Sequence, residues 1–203
     1  MSKIVVLGAG ISGHTAAAHL RRKLSKEHEV LVVSPNRNYQ WVPSNIWVGI
    51  GRMKSKEVIF PLEPLYKRKG IGYKQAKAVS FHPEGDSSEA KPYILVEGVF
   101  GDNLGKQEKV TYDYLINATG PKLAFDMTEG LQPATNKVYS VCTYDHAEHA
   151  SEALHKLIDQ LKKSDKKAKI LIGTGHAKAT CQGAAFEYIL NVEKELQKFG
   201  VRD

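Results

Sequence analysis

Short apolar runs alternate with polar, turn-forming stretches along nearly the whole chain. The first run, Ile4-Val5-Val6-Leu7, is continuously apolar, the pattern of a strand buried on both faces of a parallel sheet. A glycine-rich turn follows, Gly8-Ala9-Gly10-Ile11-Ser12-Gly13, then an alanine-rich helix beginning with His14-Thr15-Ala16. Glu29 to Val33 reads as a second strand, so the chain opens as strand, glycine turn, helix, strand. Farther on, Ile71–Tyr73, Ala76–Phe81 and Tyr93–Val96 predict short strands separated by turns, and Val110–Tyr112 completes a small meander. Tyr114-Leu115-Ile116-Asn117-Ala118-Thr119-Gly120-Pro121 reads as another buried strand ending in a tight turn. From His146 to Lys163 the apolar stripe Ala147, Ala150, Leu154, Leu157, Ile158 and Leu161 predicts an amphipathic helix. A buried strand at Lys169–Ile172, a second glycine turn at Gly173–Lys178 and a helix from about Gly183 to Phe199 complete the pattern. The prediction is an α/β fold: a Rossmann-like domain with a β-meander over residues 1–150, then the start of a second Rossmann-like domain over 151–203. One strand and one helix cannot make a doubly wound domain, so the second is expected to belong to a longer protein.

Composition narrows the class without changing this picture. Of 203 residues, 42% are hydrophobic and 25% charged, which suits a globular fold rather than a disordered chain. No apolar stretch approaches the roughly eighteen residues of a membrane-spanning helix, and Met1-Ser2-Lys3 leads straight into a strand with no signal-peptide pattern. Two cysteines exclude a disulfide scaffold and a four-cysteine zinc site, and no metal is expected. The formal charge is +7, but the cations are spread over Arg21-Arg22-Lys23, Lys67-Arg68-Lys69, Lys162-Lys163 and Lys166-Lys167. Without an RNP pattern, zinc-finger spacing or basic zipper, nucleic acid ranks low and an anionic lipid surface ranks above it.

The first glycine turn carries the sharpest chemistry. Between a strand and a helix, its first glycine permits the tight turn and its second lets backbone approach a pyrophosphate. Its third lets the helix pack on the strand, and the helix start offers free N–H groups and partial positive charge to phosphates. The second strand ends in Ser34-Pro35-Asn36-Arg37 instead of the acid that commonly holds ribose hydroxyls. Ser34 and Asn36 are neutral ribose partners; Arg37 alternatively pairs a 2′-phosphate, and the fingerprint leaves the two open. Residues 39 to 51 form an aromatic, proline- and glycine-interrupted loop, read either as a packing connector or as a wall beside a flat ring with Ser44 and Asn45 as polar contacts.

Several of these segments together resemble the sulfide:quinone oxidoreductases. They are Val6-Leu7-Gly8-Ala9-Gly10, Ser34-Pro35-Asn36, Trp41-Val42-Pro43-Ser44-Asn45, Ile116-Asn117-Ala118-Thr119-Gly120-Pro121-Lys122, Ser140-Val141-Cys142-Thr143 with His146, and Cys181-Gln182-Gly183-Ala184-Ala185-Phe186-Glu187. The resemblance runs the length of the chain in order. It implies an FAD-binding domain with cofactor contacts from Gly8, Ala9, Gly10, Ser12, Gly13, Ser34, Pro35, Asn36, Trp41, Pro43, Ser44, Asn45, Ala118, Thr119, Gly120 and Pro121. It implies that sulfide attacks a cysteine-borne sulfur, that electrons pass to the flavin, and that a membrane quinone collects them. Cys181 matches a redox cysteine that carries sulfane sulfur, Cys142 a second cysteine close to the flavin, His146 a histidine on the sulfide side and Glu187 an acid on the quinone side. The chemistry suits these residue types: a thiolate is the competent nucleophile, a helix start favours an anion at Cys181, sulfur exchange needs a partner thiol, and a carboxylate relays quinone protons.

The same resemblance implies a peripheral membrane protein, a homo-oligomer, and a missing C-terminal half or partner chain, because the family's third redox cysteine and membrane helices have no counterpart here. Two other readings compete. A type II NADH:quinone oxidoreductase would want a full second fingerprint, yet Lys178 stands where its third glycine belongs. The other is a non-catalytic FAD-binding fragment that needs a partner chain. Tyr73 and Lys77 match short-chain dehydrogenase spacing but fall in the meander, and Asn117-Ala118-Thr119 is an idle glycosylation sequon.

Overall fold

The structure, a computed structural model, describes residues 1–131 and 138–202. The chain opens with β1 (Lys3–Leu7), α1 (Ile11–Lys23) and β2 (Glu29–Ser34), followed by β3 (Asn38–Gln40), α2 (Asn45–Gly49), α3 (Ser55–Val58), β4 (Ile59–Pro61) and α4 (Leu62–Lys69). Strands β5 (Gly72–His82), β6 (Tyr93–Gly98), β7 (Gln107–Thr111) and β8 (Tyr114–Asn117) come next, then the long helices α5 (Tyr144–Leu161) and α6 (Gln182–Lys198). These elements form two compact units: residues 1–39 with 60–121, and residues 40–59 with the chain after 121. The units interleave along the sequence, a different division from the 1–150 and 151–203 segments expected. The short ribbon of β3 and β4 carries the chain out of the first unit and back.

The first unit is a six-stranded sheet in the order β7-β6-β5-β2-β1-β8. Strand β1 lies parallel to β2 and β8, while β5, β6 and β7 form an antiparallel meander. One register, Val6 opposite Val32 and Ile116, fixes the alternation of faces. Val5, Leu7, Leu31 and Val33 pack with Ala76, Ile94, Val96 and Val110 of the meander, whereas Val6, Val30 and Val32 pack with Ala17, Leu62 and Tyr66 from the helices. Both faces are therefore dry, which is why the strands read as unbroken apolar runs. Each such side chain contributes about 1.5–3 kcal/mol on burial.

Two strand predictions change. Residues 71–73 and 76–81 were expected as separate strands, but β5 is one eleven-residue strand. Its first part pairs in parallel with β2 and its second antiparallel with β6, with a bulge between Ala78 and Ser80. The polar pair Lys74-Gln75 interrupts hydrophobicity but contains no turn-forming residue. Strand β8, expected as buried, is the sheet edge among the described residues, with Tyr114 exposed and Leu115 and Ile116 half-buried.

The second unit is helical. Ala147, Ala150, Leu154 and Ile158 of α5 are buried as the stripe predicts, and Leu154 and Ile158 share a core with Ile50, Val192 and Leu196. The strand expected at Lys169–Ile172 is absent, and Leu171 is 90% exposed. A strand is stable only with a neighbour for its backbone hydrogen bonds, and among the described residues none of the strands pairs with this segment. Among the described residues no helix is long and apolar enough to cross a membrane.

The tip of the meander depends on one carboxylate. Asp86 accepts hydrogen bonds from Tyr93 Oη, from Lys109 Nζ, and from the N–H groups of Ser88 and Glu89. These donors, Tyr93 first, hold its carboxyl well below the usual carboxylate range. A depressed folded-state pKa stabilises the fold above the unfolded value of about 4 and loses that contribution as pH falls below it. Asp86→Ala therefore lowers the melting temperature most at pH 6–7, and the gap between variant and wild type narrows progressively as pH falls below about 4.

Candidate functional site

Two of the three fingerprint glycines are demanded by the protein itself. Gly8 turns the chain at φ +91, and its N–H donates to the Val33 carbonyl at 2.8 Å. A Cβ there would sit 2.2 Å from the Ala118 oxygen, and one on Gly13 would sit 2.0 Å from the Gly8 oxygen. Gly10 is different: a Cβ there would meet nothing within 4 Å. Helix α1 starts immediately after it with no side-chain cap and no acid in its first turn. The unpaired N–H groups and the positive end of the helix are thus left for an anion, and Gly10 leaves open the approach to them. Ala9 is buried beneath this turn, while Ser12 is exposed beside it.

The turn after β2 is pinned through its backbone. Ser34 is buried, and its Oγ accepts the Asn36 N–H at 3.3 Å. Gln75 Nε2 donates to the Pro35 carbonyl at 3.3 Å, Tyr73 Oη to the Asn36 carbonyl at 2.6 Å, and the Leu62 N–H to the Arg37 carbonyl at 3.0 Å. Burial, with Glu63 nearby, pushes the Tyr73 phenol up to about 12, so it stays a donor. Ser34 therefore holds the turn, and Asn36 and Arg37 are the polar side chains presented to solvent. After β8, Ala118 N–H donates to the Leu7 carbonyl at 2.8 Å and Thr119 Oγ1 to Asn117 Oδ1 at 2.9 Å. Thr119, Gly120 and Pro121 are exposed, with Gly120 at φ +72. The three turns thus follow the C-terminal ends of adjacent parallel strands, where open α/β sheets bind ligands.

The remaining expected residues lie in the second unit. Trp41 is 45% exposed, Pro43 is exposed in a single 3₁₀ turn spanning Val42–Ser44, and Asn45 is 1% exposed. Asn45 Oδ1 accepts from Gln40 Nε2 at 3.0 Å, but its Nδ2 is buried without a partner. Leaving a buried donor unpaired costs about 1–3 kcal/mol, so this atom suits an acceptor on a bound group. His146 stands in the first turn of α5, its ring edge-on to Phe125 at 5.3 Å and its Nδ1 buried without a partner. Cys142 and Cys181 are free and exposed. The Cys142 N–H donates to Ser140 Oγ at 3.1 Å, and Cys181 is the N-cap residue of α6. Glu187 is exposed on the same helix, and its carbonyl accepts the Asn191 amide at 2.9 Å.

The sequence reading overlooked the residues that hold these groups: Gln40 beside Asn45, Tyr73 and Gln75 under the Ser34–Asn36 turn, and Arg52, Tyr188 and Glu195 around the helices. Glu195 alone left a signal, a charge placed next to Leu196 and three residues from Val192 on the apolar face of α6.

Residues 2–184 match the family model described as pyridine nucleotide-disulphide oxidoreductase. The chain belongs to that family. The family and its sulfide-oxidising relatives are FAD-dependent flavoproteins, the cofactor expected from the sequence. The chain is similar to the sulfide-quinone reductase of Aquifex aeolicus, 28% identical over 199 residues, covering 98% of this chain and 40% of that protein. An X-ray structure of the sulfide:quinone oxidoreductase from Aquifex aeolicus superimposes with a TM-score of 0.80 at 27% identity, covering 100% of this chain and 41% of the other. The mitochondrial sulfide:quinone oxidoreductase of Dictyostelium discoideum is 27% identical over 205 residues, 100% of this chain and 40% of that one. A type II NADH:quinone oxidoreductase of Haemophilus influenzae is 28% identical over 176 residues, 85% of this chain and 38% of that one. The chain thus spans about two fifths of the length of these relatives.

The glycines separate packing from binding. Gly13→Ala overpacks the strand–helix contact and lowers stability by about 1–3 kcal/mol, as denaturant unfolding will show. Gly10→Ala leaves the unfolding midpoint unchanged and weakens FAD binding about tenfold or more (about 1.4 kcal/mol), measured by quenching of flavin fluorescence.

Proposed function

We propose that this chain is the N-terminal part of an FAD-dependent sulfide:quinone oxidoreductase. The observation that carries the reading is a pair of exposed thiols, Cys142 shortly before α5 and Cys181 at the start of α6, in a chain whose other unit carries a dinucleotide crevice. Gly8, Gly10 and Gly13 with the start of α1 hold the pyrophosphate, Asn36 meets a ribose hydroxyl, and Thr119-Gly120-Pro121 lies along the cofactor. The Trp41–Asn45 segment borders the ring, with Asn45 Nδ2 as donor.

In this reading hydrosulfide attacks a sulfur bridged between cysteines. The S–S bond breaks, one thiolate leaves, and the added sulfur stays on Cys181 at the sulfane level. When bound, FAD supplies the two-electron acceptor that this oxidation requires. Cys142 is the partner thiol, and His146 holds or releases a proton on the sulfide side. Glu187, exposed on α6, hands protons to the quinone, which takes up two protons with two electrons. Residues 151–203 open a second dinucleotide-binding-like domain, whose strand at Lys169–Ile172 forms once neighbouring strands are supplied. Peripheral membrane attachment and self-association belong to the same proposal.

An anaerobic visible spectrum of the flavin-loaded protein tests it. The flavin band bleaches on adding sulfide and not on adding NADH; bleaching by NADH alone would transfer the assignment to the NADH:quinone oxidoreductases. In the complete protein, Cys181→Ala abolishes sulfide-dependent bleaching and leaves FAD bound.

A further inference from the structure

Helix α1 begins at a ligand turn yet is lightly held: its buried residues are Gly13 and Ala17, and its start has no side-chain cap. The residue after Gly13 supplies a second hold. The His14 ring lies 5.1 Å from Tyr39, 6.0 Å from Phe60 and 5.7 Å from Tyr66, and its Nδ1 is 3.2 Å from the Tyr66 hydroxyl. Tyr39 and Phe60, one on each strand of the β3–β4 ribbon, stack on each other at 4.7 Å. From Tyr66 the cluster continues to Tyr73, ring to ring at 5.8 Å, and Tyr73 Oη donates to the Asn36 carbonyl at 2.6 Å. All five residues belong to the first unit. A continuous line of side chains thus joins the glycine turn at the start of α1 to the Pro35–Arg37 turn after β2, the segments read above as pyrophosphate and ribose partners.

The hydrogen bond at the centre of this line has a direction. Tyr66 is fully buried, and among the described residues its hydroxyl bonds only to His14 Nδ1. Burial pushes that phenol above its usual range, so it keeps its proton. Were Nδ1 protonated, the Tyr66 O–H would face another donor and lose its acceptor in a dry interior, a costly arrangement. The bond is satisfied when Tyr66 donates to a bare Nδ1 and the ring proton sits on Nε2. Charging His14 fills Nδ1 and breaks it. Burial first, and Lys69 at the end of α4 second, hold the imidazole below its ordinary value. The other groups that face it, Tyr39 from the ribbon and Tyr66 from α4, are phenols raised by burial and uncharged; behind Tyr66, Glu63 acts on Tyr73.

We propose that His14 is a positioning residue for the cofactor: as the neutral imidazole it clasps the pyrophosphate turn to the ribose turn, and protonation opens the clasp. The inference rests on FAD binding by the first unit and does not depend on sulfide as the reductant. FAD binds the clasped form, so its apparent affinity falls with the fraction of chains in which His14 is neutral. Below the His14 titration the loss approaches about tenfold per pH unit, because one proton must leave for the cofactor to bind. A histidine that merely attracted phosphate would act with the opposite sign and tighten binding as pH falls.

Dissociation constants for FAD, from quenching of flavin fluorescence, are measured from about pH 5 to about pH 8, the range in which histidine titrates. The native chain is compared with two variants. His14→Asn keeps an acceptor where Nδ1 stood but cannot titrate. His14→Phe combined with Tyr66→Phe removes both hydrogen-bonding partners and keeps both rings, a change that can be nearly neutral for stability, and its melting temperature is measured alongside. The expected result is a native affinity that falls with acid, while binding to both variants stays level over the same range and the double variant melts as the native chain does. The same slope in the native chain and the double variant, or native binding that tightens as pH falls, overturns the clasp. Because this readout involves no sulfide, it fails separately from the functional proposal, which the bleaching experiment decides.

Discussion

The close approach of three backbone segments at the end of β1 is the constraint on which the first unit depends. Leu7 and Gly8 must lie against Ala118 on one side and Val33 on the other, while α1 crosses close enough for Gly13 to touch the Gly8 carbonyl. No side chain larger than hydrogen fits at Gly8 or Gly13 without displacing backbone. The reward is that three strand ends and one helix start converge on a single rim. The binding chemistry is then largely backbone chemistry, with Asn36, Arg37 and Thr119 as the exposed polar side chains of the turns after β2 and β8.

Much of this was legible because it follows from local rules. Continuous apolar runs marked β1 and β2, and the glycine spacing between a strand and a helix marked the crevice. Period-3.6 apolar positions marked α5. Where the reading failed, non-local pairing decided the outcome. Lys74 and Gln75 sit inside β5 because that strand changes partners, from β2 to β6, partway along its length. The run Lys169–Ile172 has the composition of a strand and, among the described residues, no ladder to join. Strand β8 was read as buried from its sequence, yet burial depends on what stands beside a strand.

The site residues divide along a similar line. Ser34 was recognised as neutral and placed at the right strand end, but no pattern in the sequence shows that its hydroxyl turns back to hold Asn36. The roles of Tyr73 and Gln75 depend on β5 lying next to β2, a pairing that sequence spacing does not encode. Conversely, the unpaired atoms Asn45 Nδ2 and His146 Nδ1 fall on residues that the sequence had already singled out.

Strand β8, the sheet edge among the described residues, has a consequence for how this chain behaves as a material. An open parallel edge presents a row of free backbone groups, the template from which edge-to-edge stacking and fibrillar growth begin. Here the row is only four residues long and is closed off by Gly120 and Pro121, the second of which has no N–H to offer. A stacked neighbour would find a ladder that ends almost as soon as it starts. The edge remains available for short, specific strand addition and is a poor seed for open-ended polymerisation.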